Sequence, residues 1–159
     1  MFGKKTDTVS LSDTLSGKRE FVPLKKGDVR MYSCGPTVYG PQHIGNLRAA
    51  VFSDTVARTM AVAGYAVKRV VNITDVGHLV GDGDEGEDKM AVGAAREKVS
   101  PMEIADKYAK QYLTDVKALN VDTRRIRFPR ATAYVQDQIQ MIKTLEKKGY
   151  TYTLPDGVY

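Results

Sequence analysis

The stretch Val29 to Leu47, VRMYSCGPTVYGPQHIGNL, decides the fold. Val29 to Ser33 alternate around Met31 and run into the glycine- and proline-punctuated segment Gly35 to Gly45, which reads as a short strand followed by a loop. From Leu47 onward Val51, Phe52, Thr55, Val56, Met60 and Ala63 recur at three- and four-residue spacing, and Gly64 stands where a glycine C-cap belongs. Ala66 to Ile73 is valine-rich and short enough for a second buried strand. Strand, helix and strand make a βαβ unit, whose strands are parallel because the crossover returns the chain to the same edge. The fold class expected is α/β, a Rossmann-like parallel sheet.

Outward from this unit, Thr74 to Asp88 is rich in glycine and acid, with Gly77, Gly81, Gly83 and Gly86, and reads as a loop before a short helix over 89–98. Ser100, Pro101 and Glu103 form a capping box that starts a helix running to Leu119, with Asn120 ending it. A further helix spans about 133–148 and is closed by Gly149. Tyr150 to Thr153 reads as a strand and Pro155-Asp156 as a turn, leaving Val158 and Tyr159 for the return. A half-written hairpin at the end leads us to expect a truncated chain.

Bulk composition narrows the function classes. With 159 residues, 42% hydrophobic and 27% charged, the chain suits one globular domain. No apolar run approaches the ~20 residues needed to cross a bilayer, so no membrane partner is expected. Lys4 and Lys5 precede no apolar stretch of a secretory signal, which makes the cytoplasm the expected location. The single cysteine, Cys34, excludes an internal disulfide. The net charge of +5, concentrated at Arg124, Arg125, Arg127 and Arg130, permits a polyanionic partner without requiring one.

In an open parallel sheet, ligands bind beyond the carboxyl ends of the strands, where helix N-termini offer unpaired N–H groups and positive potential to phosphates. His43 and Asn46 fall at such a helix start. Both side chains can donate to phosphate oxygens, and Gly45 presents no side chain against an approaching nucleotide. This pattern points to ATP activation.

Met31-Tyr32-Ser33-Cys34-Gly35-Pro36-Thr37-Val38-Tyr39, followed by His43-Ile44-Gly45-Asn46, resembles the start of cysteinyl-tRNA synthetases, and the second block is similar to the HIGH signature of class I synthetases. Asn72-Ile73-Thr74-Asp75, Gly86-Glu87-Asp88-Lys89-Met90, Pro129-Arg130-Ala131-Thr132 and Gly149-Tyr150 follow in the family's order, so the resemblance covers nearly the whole chain. It implies a ligase that activates cysteine with ATP and magnesium to cysteinyl-adenylate and transfers it to tRNA(Cys), acting as a monomer in full length. By the same resemblance, His43 and Asn46 are catalytic; His43, Gly45 and Asn46 bind ATP; Gly35, Thr37 and Thr74 bind cysteine; and Cys34 is the first zinc ligand. A soft metal–thiolate bond would separate cysteine from serine, which shape alone separates by only about 1–3 kcal/mol. The implied domains are residues 1–127, the first half of the catalytic domain, and 128–159, the beginning of a connective insertion.

Some family features are absent or altered. Asn46 occupies the place of the signature's second histidine, which keeps a donor but removes a titrating imidazole. A zinc site needs three or four protein ligands, and the chain has one cysteine and two histidines, with His78 better read as solvent-facing. The lysine-rich KMSKS loop is missing. The fragment alone is therefore expected to be inactive. Cys34 has two other readings: a small buried residue, which the adjacent turn disfavours, or a nucleophile with His43 as base, which lacks an orienting third group. Gly81, Gly83 and Gly86 fit a dinucleotide fingerprint only formally, because Asp82, Asp84 and Glu85 would repel a pyrophosphate. Two alternative functions stay open: a cysteine ligase of mycothiol type, and a non-catalytic binding module.

Overall fold

The computed structural model describes residues 7–76, 89–155 and 157–159. The glycine-rich segment holding Gly77, His78, Gly81, Gly83 and Gly86, and the turn residue Asp156, lie outside the described residues.

The first elements are β1 (Ser10–Asp13) and β2 (Gly17–Glu20), an antiparallel hairpin whose turn is held by the Asp13 carboxylate accepting from the Leu15 and Ser16 N–H groups at 2.8 and 2.7 Å. There follow β3 (Asp28–Ser33), α1 (Ile44–Val62), β4 (Ala66–Val71), α2 (Lys89–Glu97), α3 (Pro101–Ala118) and β5 (Ile126–Arg127). The chain ends in α4 (Val135–Lys147) and a two-residue-stranded hairpin, β6 (Thr153–Leu154) with β7 (Gly157–Val158). Strands β3, β4 and β5 form a parallel sheet with β4 in the middle, in register Asp28↔Ala66 through Ser33↔Val71 and Arg69↔Ile126. The expected βαβ unit is present, and the sheet with its covering helices is Rossmann-like.

Helix ends are fixed by local chemistry. Ser100 accepts from the Glu103 N–H while the Glu103 carboxylate accepts from the Ser100 N–H, the reciprocal box expected from the sequence. Beyond α1, the Gly64 and Tyr65 N–H groups bond the carbonyls of Ala61 and Met60, with Gly64 at φ 93°. The same pair of bonds closes α3 through Asn120 and Val121, and α4 through Gly149 and Tyr150. Each closure satisfies carbonyls that would otherwise be orphaned. Helix α2 ends the same way, but with Lys98 in the left-handed region at φ 56°.

One face of the sheet is covered. Val29, Met31 and Val67 pack with Met60, Ala63 and Tyr65 at the end of α1, whereas Val71 and Ile126 pack with Tyr112 and Val116 of α3. The buried side of α1 runs through Asp54, Ala57 and Met60. It does not include Val51 and Phe52, which are exposed although the spacing had put them on the core stripe. The physical reason is Arg69, which points from β4 into the covered face and needs a counter-charge. Its Nη1 meets Asp54 Oδ1 at 2.6 Å, both side chains being buried, and Arg58 Nε bonds the other Asp54 oxygen at 2.6 Å. A buried guanidinium without such a partner would be prohibitive.

The opposite face carries Arg30, Tyr32, Lys68, Val70 and Arg127, and a groove of about 520 Å³ opens on it. Tyr32 is 70% exposed there. Of the arginine cluster, Arg124 and Arg125 pair with Asp122 at 2.9 and 3.5 Å, and Arg130 with Asp106 at 2.5 Å. Two carboxylates thus answer about half of the charge of these four arginines.

Element bounds differ from expectation in three places. Strand β4 stops at Val71 rather than Ile73, because Asn72 turns its side chain to the neighbouring loop and Ile73 and Thr74 pair singly, with Arg130 and Thr37. Helix α4 begins at Val135, after a 3₁₀ turn over Ala131–Tyr134. Strand β6 covers Thr153–Leu154, rather than starting at Tyr150, while Tyr152 and Tyr159 exchange two 2.8 Å backbone hydrogen bonds and stack with ring centroids 5.8 Å apart. No helix among the described residues is long and apolar enough to cross a membrane.

Candidate active site

The site is built where β3 and β4 end. The exposed Cys34 follows β3 directly, its thiol 3.6 Å from the Gly35 carbonyl oxygen. The Gly35 N–H donates to Asn72 Oδ1 at 3.1 Å, and a Cβ on Gly35 would lie 1.6 Å from the Asn72 main-chain oxygen. Only glycine fits this approach. Asn72 Nδ2 in turn donates to Thr74 Oγ1 at 3.0 Å. Thr37 and Thr74 pair as a parallel bridge, flanked by Val38 N–H to the Thr74 carbonyl at 3.1 Å and Thr74 N–H to the Pro36 carbonyl at 2.9 Å. Gly35, Thr37 and Thr74, singled out by the resemblance for the amino acid, are thereby gathered into one backbone frame.

The second group sits at the start of α1. His43 is its N-cap: Nδ1 accepts from the Gly45 N–H at 3.0 Å. With that lone pair engaged, a neutral His43 carries its proton on Nε2, which is left to donate. Gly45 is needed here for a reason the sequence did not disclose. A Cβ would fall 2.8 Å from the His43 ring, so a side chain would displace the capping imidazole. Asn46 is exposed in the same turn, and the first turn holds no acidic residue to repel an anion. Gln42 connects the two groups, its Nε2 donating to the carbonyls of Thr37 and Gly40 at 3.2 and 3.3 Å.

Three contributors went unassigned in the sequence reading. Asn72 orients both Gly35 and Thr74; Gln42 braces the loop; and Asp75, buried, accepts from the Thr132 N–H at 3.0 Å and from its hydroxyl at 2.7 Å. That last link docks the segment around Pro129–Thr132 on the end of the sheet, assisted by Ile73 N–H to the Pro129 carbonyl and Ala131 N–H to the Ile73 carbonyl. A second groove, about 680 Å³ and lined by Asn72, Tyr32, Arg130 and Tyr134 among others, runs beside this junction. Behind Cys34, burial raises the Tyr112 phenol above its ordinary range, with nearby Arg69 opposing the shift and Cys34 adding to it.

Cys34 offers one soft donor for zinc. Among the described residues no three His, Cys, Asp or Glu side chains converge to hold a metal ion. Within the described residues Cys34 therefore stands as a single soft donor, short of the three or four that a zinc site needs.

A parallel sheet whose strand ends face the N-terminus of a helix is the α/β arrangement in which phosphate-bearing ligands are held. The model of the tRNA synthetases class I (C) catalytic domain matches residues 20–159, and the chain belongs to this family. Its curated relatives include "Cysteine--tRNA ligase 1" of Burkholderia lata, 49% identical, and the "Cysteine--tRNA ligase" of Deinococcus radiodurans, 45% identical, each over 152 residues. Those alignments take in 95% of this chain and 32% and 30% of the relatives, so the chain spans about a third of their length. Among solved structures, the Agrobacterium radiobacter K84 agnB2 LeuRS in its ternary complex superposes with a TM-score of 0.61 at 21% identity, covering 82% of this chain and 16% of that one, and shares the fold.

Proposed function

We propose that this chain forms the part of a cysteine--tRNA ligase that holds ATP and the amino acid while cysteinyl-adenylate is made. In that reaction a carboxylate oxygen of cysteine attacks the α-phosphorus of ATP, pyrophosphate leaves with its magnesium, and a mixed anhydride results. The terminal hydroxyl of tRNA(Cys) then attacks the anhydride carbonyl and AMP leaves. His43 Nε2–H and the Asn46 amide are the donors for the phosphate oxygens whose charge grows as the nucleophile approaches. The frame of Gly35, Thr37 and Thr74, fixed by Asn72, positions the amino acid.

The observation that carries this reading is the His43 cap. It ties up Nδ1 and leaves the opposite nitrogen as a donor at an exposed helix start. Residues 1–127 as the first catalytic half, residues 128–159 as the start of a connective insertion, a cytoplasmic monomer in full length, and Cys34 as one of several zinc ligands all belong to the same reading. The test is titration of the ¹⁵N-labelled chain with ATP and magnesium. Saturable shifts at the amides of Gly45 and Asn46 are expected, and His43→Ala abolishes them; shifts confined to other surfaces would overturn the assignment. Cysteine-dependent ATP–pyrophosphate exchange by the chain alone is expected to be undetectable. ATP binding without exchange is the behaviour of a binding fragment.

A further inference from the structure

The residues assigned to catalysis, His43 and Asn46, stand at a helix start that loop 37–43 leads into, and something must hold that loop at its middle. Val38 is wholly buried and tied to the Thr74 carbonyl, and Gln42 braces the far side. Between them stands the Tyr39 peptide, and helix α2 presses on it. A Cβ on Gly93 would lie 2.6 Å from the Tyr39 carbonyl oxygen and 3.4 Å from both its carbonyl carbon and its Cβ. One turn on, Arg96 Nη2 donates to the same carbonyl oxygen at 3.4 Å. Ala94, buried beside Gly93, packs in one cluster with Val38, Ile73, Ile104 and Tyr108. Helix α2 is itself anchored, since the Glu97 carboxylate accepts from Lys107 and from the Tyr108 hydroxyl of α3.

We propose that Gly93 and Arg96 are positioning residues of the adenylate-forming site: they clamp the Tyr39 peptide and thereby set where His43 stands relative to Thr74. This rests on the reading of His43 given above. Neither residue is placed to touch phosphate; both act through the main chain. Gly93 does most of it, because any side chain there would drive the Tyr39 carbonyl away, and close packing passes such a displacement along rather than absorbing it. Arg96 contributes less, being half exposed and bonding at long range. Through the clamp, α2 acts on a site it does not line.

The experiment uses the ¹⁵N-labelled chain with Gly93→Ala, Arg96→Ala and Arg96→Lys, and Ala95→Ser on the exposed side of α2 as control. Two readouts are taken, the amide resonances of residues 38–46 and the Kd for ATP with magnesium. Gly93→Ala is expected to shift those resonances and weaken ATP about tenfold or more, since misplacing a catalytic group by an ångström costs up to about 100-fold. Arg96→Ala is expected to weaken ATP about threefold by the same argument, with Arg96→Lys recovering most of the loss and Ala95→Ser changing neither readout. Unmoved His43, Gly45 and Asn46 resonances in Gly93→Ala and Arg96→Ala would overturn the clamp. Should Gly93→Ala fail to fold, the two Arg96 variants decide. If the parent chain binds no ATP, the functional reading falls, while the resonances still judge the clamp.

Discussion

Gly35 and Asn72 touch twice: the Gly35 N–H bonds the Asn72 side-chain oxygen at 3.1 Å, and the space a Gly35 Cβ would need is filled by the Asn72 main-chain oxygen. Two strand ends are thereby locked at the point where the amino-acid frame begins. Gly35→Ala should force β3 and β4 apart. The expected loss is about 3 kcal/mol or more, within the range of severe overpacking, and thermal unfolding would read it. Asn72→Ala removes only the bonds and should cost about 1–2 kcal/mol.

The pair of Asp54 and Arg69 predicts a sharper asymmetry. Asp54→Ala strands a buried guanidinium and is expected to cost about 3–5 kcal/mol in urea unfolding. Replacing both partners at once, as Asp54→Leu with Arg69→Met, should recover most of that loss, because neither charge then needs an answer.

Lys98 adopts a left-handed conformation that glycine takes without strain. Lys98→Gly should raise the melting temperature by the equivalent of about 1 kcal/mol. A lower melting temperature would mean that the long side chain contributes packing which outweighs the backbone cost.

Several carboxylates set the response to acid. Glu97 is held below the usual range by its hydrogen bonds from Lys107 and Tyr108, and Asp122 by its bond from Arg124. A group with a depressed folded pKa contributes stability above its unfolded pKa and loses it as pH falls through the folded value. The melting temperature is therefore expected to hold from neutrality down to the ordinary carboxylate range, near pH 4, and to decline below it. Glu97→Gln should flatten the part of that decline that comes from the α2–α3 contact. An unchanged profile in this variant would count against the pairing.

Much of the architecture is legible in the sequence because it is written in local signals. The Ser100–Glu103 box and the residues Gly64, Asn120 and Gly149 bound three helices, and the valine-rich strands flanking α1 imply the parallel pair. The β1–β2 hairpin escaped because it is exposed at every position and shows no apolar alternation. The buried side of α1 escaped because an aspartate occupies it, and only the partner 15 residues on explains why. At the site, the motif residues were readable as a set, but the braces Asn72 and Asp75 act through side-chain bonds to distant backbone, and Gln42 through the carbonyls of its own loop, which no spacing rule reports.

The sheet face that the described residues leave exposed has a colloidal consequence. Parallel sheets are ordinarily sheathed on both sides, and an exposed apolar face invites association. Here Arg30 and Lys68, which share Asp28, and Arg127 surround Tyr32 and Val70, so two copies approaching face to face bring net positive rims together before any apolar surface meets. That repulsion is long-ranged in dilute salt and shrinks to a few ångströms in molar salt. The cationic fringe is expected to keep the chain dispersed at low ionic strength and to let it self-associate as salt is raised, which light scattering against salt concentration checks.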